Sequence, residues 1–165
     1  MTISETLLPE FDQEMANLRK LVDCVPEDKF SWKPHAKSMS LGRLASHASE
    51  MPQWATFIIS HDKLEMTPGQ APFNAATKAE LMAALDKNVA EARALIAGAT
   101  DEQLAKNWSF VYGGHVVMTM PRAVALRNAV MNHIIHHRGQ LSVYLRLQDV
   151  PIPGMYGPSA DQPMG

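Results

Sequence analysis

The chain has 165 residues, 46% of them hydrophobic, and a formal net charge of −2. That length suits one domain, over residues 1–165, with a sizeable core of its own, and the composition excludes a disordered chain. The 15 Lys and Arg are spread along the chain, which argues against nucleic acid, and the lone Cys24 excludes a disulfide framework and a cysteine-rich zinc site.

The N-terminal stretch MTISETLLPEFDQE is acidic and carries no long apolar run. It reads as neither a signal peptide nor a membrane span, so the expectation is a cytoplasmic protein with no membrane partner. Leu7, Leu8, Phe11, Met15, Leu18, Leu21 and Val25 recur at three- and four-residue spacing, which predicts a first helix over Ser4 to Val25. Pro26 stops it. A connector from Glu27 to Met39 leads to Ser40, a plausible N-cap for a second helix. Leu41, Leu44, His47, Ala48, Met51, Trp54, Ala55 and Ile58 form its apolar stripe, with a kink expected at Pro52. Asp62 to Ala76 contains Pro68, Gly69 and Pro72 and reads as loop.

Thr77 and Glu80 have capping-box spacing at the start of a third helix, Thr77 to Ala99. Trp108 to Thr119 places β-prone residues on both sides of Gly113-Gly114, which predicts a short hairpin packed on the helices. Pro121 suits the first position of a fourth helix reaching about Gln148. Gly139 inside that helix suggests close packing or a functional reason. The pattern predicts an all-α fold: an antiparallel four-helix bundle with a short β-hairpin before the last helix. Such bundles build their sites from inward-facing side chains on different helices.

The fourth helix carries the run HIIHHRGQL from His133 to Leu141. Histidines four residues apart share a helix face and can hold one metal ion. With His133 at zero on a wheel of about 100° per residue, His137 falls near 40°, among Leu126, Val130 and Leu141 at about 20–80°. His136 falls near −60°, so it should flank the site or reach solvent. His133 and His137 point with the apolar residues toward the interior. An imidazole pair in a core needs a partner, and a metal supplies one. A third ligand should come from another helix, and His47, on the apolar stripe between Leu44 and Met51, is the best candidate. Three protein ligands with an open position describe a catalytic type of site.

The run HIIHHRGQL, with LGRLASHASEM about 85 residues before it, resembles the DinB/YfiT-like family, whose members are regarded as metalloenzymes. The connector SWKPHAKSMSLGRLASH and the tail VPIPGMYGPSADQP resemble it too, so the similarity covers nearly the whole chain. The resemblance implies a four-helix bundle whose metal triad maps onto His47, His133 and His137. It implies a divalent transition metal, Zn, Ni or Fe, and, from the thiol-dependent S-transferases and isomerases in the family, a low-molecular-weight thiol as cosubstrate. A metal-dependent transferase of small molecules leads. A metal-dependent hydrolase and a non-catalytic, metal-binding stress-associated protein compete with it. A homodimer is the expected assembly.

Several residues keep two readings. Glu50, three residues after His47, is a catalytic candidate that can orient a ligand, accept a proton or complete the coordination; otherwise it is a solvated surface carboxylate. Gln140 can hydrogen-bond near the site or mark a polar boundary. Arg138, near 140° on the wheel, points away and reads as a surface or dimer residue. Tyr144 is expected to line the core below the metal. His35, His61 and His115 read as ordinary surface histidines, and Cys24 as a buried structural thiol. The tail around Tyr156 either packs across the bundle mouth or is a loosely ordered terminus.

Overall fold

Thr2 starts the first rod. Its side chain accepts a hydrogen bond from the Glu5 N–H (3.1 Å), and the Glu5 carboxylate accepts one from the Thr2 N–H (2.7 Å). This reciprocal cap satisfies two of the N–H groups that a helix start leaves unpaired. Helix α1 then runs Ile3–Asp23 and buries Leu7, Phe11, Met15, Leu18 and Leu21 on one face, as their spacing predicts. The computed structural model describes residues 1–163.

Ser40 caps α2 (Leu41–Glu50), accepting from the Arg43 N–H at 3.2 Å. The expected kink at Pro52 is a break, and α3 (Gln53–Ser60) starts behind it. Proline has no N–H for the Ala48 carbonyl, so tighter turns, Trp54 to Met51 and Ala55 to Pro52, carry the chain across. Asn88, buried on the neighbouring rod, donates its side-chain amide to the Ser49 carbonyl at this break (3.0 Å). That rod is α4 (Lys78–Gly98), capped by Thr77 through the Glu80 N–H (3.1 Å). Glu80 turns its carboxylate to the Ala76 N–H (2.8 Å) rather than to Thr77, so the expected box is half formed.

The segment read as loop, Asp62 to Ala76, holds a strand. β1 (Lys63–Met66) pairs in parallel with β2 (Asn107–Tyr112), and β2 pairs antiparallel with β3 (His115–Pro121). The predicted hairpin is therefore part of a three-stranded sheet with β2 at its centre. Lys63–Met66 is four residues long and half charged, with no strand signal of its own; the free edge of β2 makes it one. The hairpin turn places Gly113 and Gly114 at φ 57° and 81°, where side chains are strained. Trp108 is fully buried under the hairpin, and Phe110 packs on Trp54 with ring centroids 5.4 Å apart. The short α5 (Asp101–Ala105), capped by Thr100, is too brief for periodicity to reveal.

The last rod consists of α6 (Arg122–Ala125), a π-helical stretch over Leu126–Asn132, and α7 (His133–Arg146). Pro121 stands at its cap, one place before the expected position. Buried Arg122 donates to the Ile58 carbonyl (2.8 Å) and the Asp62 carboxylate (2.8 Å), tying this rod to the end of α3. Gly139 is exposed, and a Cβ added there would meet nothing within 4 Å, so it serves no close approach.

Arg138 is not a surface residue. It lies on the α1 side of α7, 3% exposed, with Nη1 2.5 Å from Glu14 Oε2. Its Nη2 bonds the Tyr156 hydroxyl, which in turn donates to Glu14 (2.6 Å). The wheel placed Arg138 away from the histidines correctly, but α7 packs against α1 on that side as well as against α2. The tail is likewise anchored on α1 through Tyr156. The rods α1, α2–α3, α4 and α6–α7 together enclose one continuous apolar core. Among the described residues no helix is long and apolar enough to cross a membrane.

Candidate metal centre

Helices α2 and α7 meet across the core, α2 bringing one histidine to the contact and α7 two. His47 lies in the last turn of α2, and His133 and His137 lie one turn apart at the start of α7. One ligand nitrogen from each ring lies within 4.8 Å of the others. The His133 and His137 Nε2 atoms are 2.9 Å apart. Tetrahedral bonds of about 2.0–2.1 Å place neighbouring ligand atoms about 3.3 Å apart, so the cluster needs only small adjustments to share one ion.

The outward nitrogens are already engaged. His47 Nδ1 faces Glu50 Oε1 at 2.8 Å, and His137 Nδ1 faces Gln140 Oε1 at 2.8 Å. Both oxygens accept, so each Nδ1 carries the proton and each Nε2 keeps a lone pair for the cluster. A ligand ring held by a second hydrogen bond is the usual arrangement around a bound metal. Burial lowers the His137 pKa to about 4, reinforced by repulsion from His47, His133 and His136, against the opposing Gln140 hydrogen bond. Burial also lowers that of His133, with His47 adding to the effect. Both are therefore neutral at pH 7, the form that binds metal. Three convergent lone pairs in a half-buried site fit a divalent cation.

The structure brings His137, not His136, into the cluster with His47 and His133. His136 is exposed, with its ring 4.9 Å from that of His137. His35, His61 and His115 are exposed and lie outside the cluster. Glu50 is no freely solvated carboxylate: it accepts from Arg43 Nη2 (3.2 Å) as well as facing His47. Gln140 takes the site reading, although it is itself exposed. Tyr144 packs edge-on against Trp32 of the connector, ring centroids 5.6 Å apart. Cys24 is half-buried, its Sγ donates to the Lys20 carbonyl (3.2 Å), and burial pushes its pKa up, which suits a structural thiol.

A pocket of about 280 Å³ opens beside His47. Arg43, Glu50, Trp54 and Phe57 form one side, and β1 with residues 70–73 forms the other. The connector between α3 and α4 thus shapes this pocket, not the C-terminal tail. Trp54 also stands edge-on to His133, 6.4 Å between ring centroids, so the pocket wall reaches the histidine cluster. Sequence reasoning missed Arg43, whose only signal is its place four residues before His47.

The family model described as "DinB family" matches residues 1–164. The uncharacterised protein YrdA of Bacillus subtilis (strain 168) is 24% identical over 157 residues, covering 94% of this chain and 89% of that protein. Among solved structures, a DinB-like protein of Bacillus cereus matches with a TM-score of 0.70 at 24% identity, over 92% of this chain and 97% of that one. The DinB-like protein YjoA of Bacillus subtilis matches with a TM-score of 0.67 at 21% identity, over 96% of this chain and 99% of that one. At these identities the structures speak for the fold alone.

Proposed function

The chain belongs to the DinB family, and we propose that it is a metal-dependent enzyme that binds one divalent transition ion on His47, His133 and His137. One observation carries the reading: three imidazole nitrogens converge beside a pocket, with the far nitrogens of His47 and His137 already hydrogen-bonded. The ion, Zn, Ni or Fe, supplies Lewis-acid activation of a thiol or of water when bound. The leading reaction is transfer of a low-molecular-weight thiol to a small electrophile.

The protein's own groups have separable tasks. Glu50 holds the His47 ring in one tautomer and one orientation. Arg43 in turn holds Glu50. Gln140 does for His137 what Glu50 does for His47. Trp54 and Phe57 keep water from one side of the pocket. Glu50 also lines the pocket, so it is placed to accept a proton; this favours hydrolysis as the second reading.

Elemental analysis of the purified protein tests the centre. The expected result is about one metal ion per chain in the wild type, lost in His47→Ala and His137→Ala, as a three-ligand site requires. A wild type free of metal after growth in supplemented medium refutes it. Turnover of electrophiles with cellular thiols, against cleavage of esters or amides without them, separates transferase from hydrolase.

A further inference from the structure

Arg43 lines the pocket one helical turn before His47. Its Nη2 donates to Glu50, but its Nη1 is buried and has no hydrogen-bond partner among the described residues. A buried guanidinium N–H without an acceptor is costly and uncommon. The guanidinium is always charged, and its planar fork suits a carboxylate. Two acids share the pocket lining. Glu50 is engaged by Arg43 and His47, and Glu65 is paired with Lys63 at 2.7 Å. Arg43 is the one cation among the lining residues.

The rest of the lining is largely apolar, with Trp54, Phe57 and Phe73 as its aromatic members. Its volume of about 280 Å³ lies at the lower edge of the ~300–1,000 Å³ usual for small-molecule sites, so the ligand is small. Residues four apart on a helix are about 6 Å apart at the surface, which sets the spacing from Arg43 to His47.

We propose that the pocket binds a small carboxylic acid with an apolar body. Its carboxylate pairs with the partly exposed Arg43 guanidinium, its body lies on Trp54, Phe57 and Phe73, and its other end faces the histidine cluster. Only that last feature rests on the metal-dependent reading; the contact with Arg43 does not.

Calorimetric titration of 3-phenylpropionate and its neutral analogue 3-phenylpropanamide tests this. Both probes are added to zinc-loaded and chelator-stripped protein, as wild type and as Arg43→Met. The wild type should prefer the acid about tenfold in both states, the scale of a charge-assisted hydrogen bond. Arg43→Met should reduce the preference to less than about twofold. Phe73→Ala, on the exposed wall, should weaken both probes alike. A preference that survives Arg43→Met assigns the acid to the metal or to another surface and overturns the proposal. Equal binding of acid and amide by the wild type, or binding of neither, overturns it as well. Should Arg43→Met not fold by circular dichroism, Phe73→Ala decides, because unchanged affinity there puts the probes outside the pocket. Protein that takes up no zinc yet prefers the acid sinks the metal reading and leaves this one standing.

Discussion

Replacing Arg138 by methionine should be among the most damaging single changes in this protein. The Arg138 and Glu14 side chains are 3% and 7% exposed. The guanidinium pairs with the Glu14 carboxylate at 2.5 Å and donates to the Glu14 main-chain carbonyl at 3.2 Å. Methionine fills most of the vacated volume, so the cost comes from what it leaves behind. Glu14 stays buried and charged with the Tyr156 hydroxyl (2.6 Å) as its remaining side-chain partner. Breaking a buried pair from one side costs about 3–5 kcal/mol. At a urea m-value of about 2 kcal/mol/M, the unfolding midpoint should fall by roughly 1.5–2.5 M. Adding Glu14→Leu to Arg138→Met removes the stranded charge and should restore most of the loss, since apolar replacement of a whole pair is often near neutral. Urea titrations of the wild type, both single variants and the double variant, followed by circular dichroism at pH 7, measure the coupling. A loss below about 1 kcal/mol for Arg138→Met, or a double variant no better than the single ones, refutes this account of the pair.

Three further outcomes are expected. The unfolded chain takes up the His137 proton near pH 6.5, the native chain only near pH 4. Between those values the unfolded state binds more protons, so metal-free stability should fall as the pH drops through that window, by up to about 3 kcal/mol. Urea midpoints from pH 7 to 4.5 should show a shallower slope for His137→Gln than for the wild type; parallel slopes count against it. Glu50→Gln should weaken zinc binding about 10–100-fold through the orientation of His47, read by competition with a chelator, and unchanged affinity would rule that role out. Gly139→Ala, at an exposed helical position with open space around it, should stabilise by about 0.5–1 kcal/mol, and a lower melting temperature would contradict the reading.

Local chemistry made much of the molecule legible before any fold was known. The helix stripes, the caps at Ser40 and Thr77, a distortion of the second helix at Pro52 and the glycine turn each depend on residues within a few positions of one another. His133 and His137 were legible for the same reason, because four residues on a helix is a fixed spacing. His47 was inferred rather than seen, from an apolar stripe that a histidine interrupts.

What stayed hidden depends on surfaces that only the packed chain brings together. Lys63–Met66 is a strand because β2 lies beside it, more than 40 residues later in the chain. Arg138 is a core residue because α1 covers the far side of α7. Arg43 and Glu50 acquire their roles from the pocket that β1 and residues 70–73 close over them. The spacing of residues along a helix is set by covalent geometry and can be counted in a sequence. Which face meets water is set by neighbours distant in the chain, and it takes the tertiary structure to supply them.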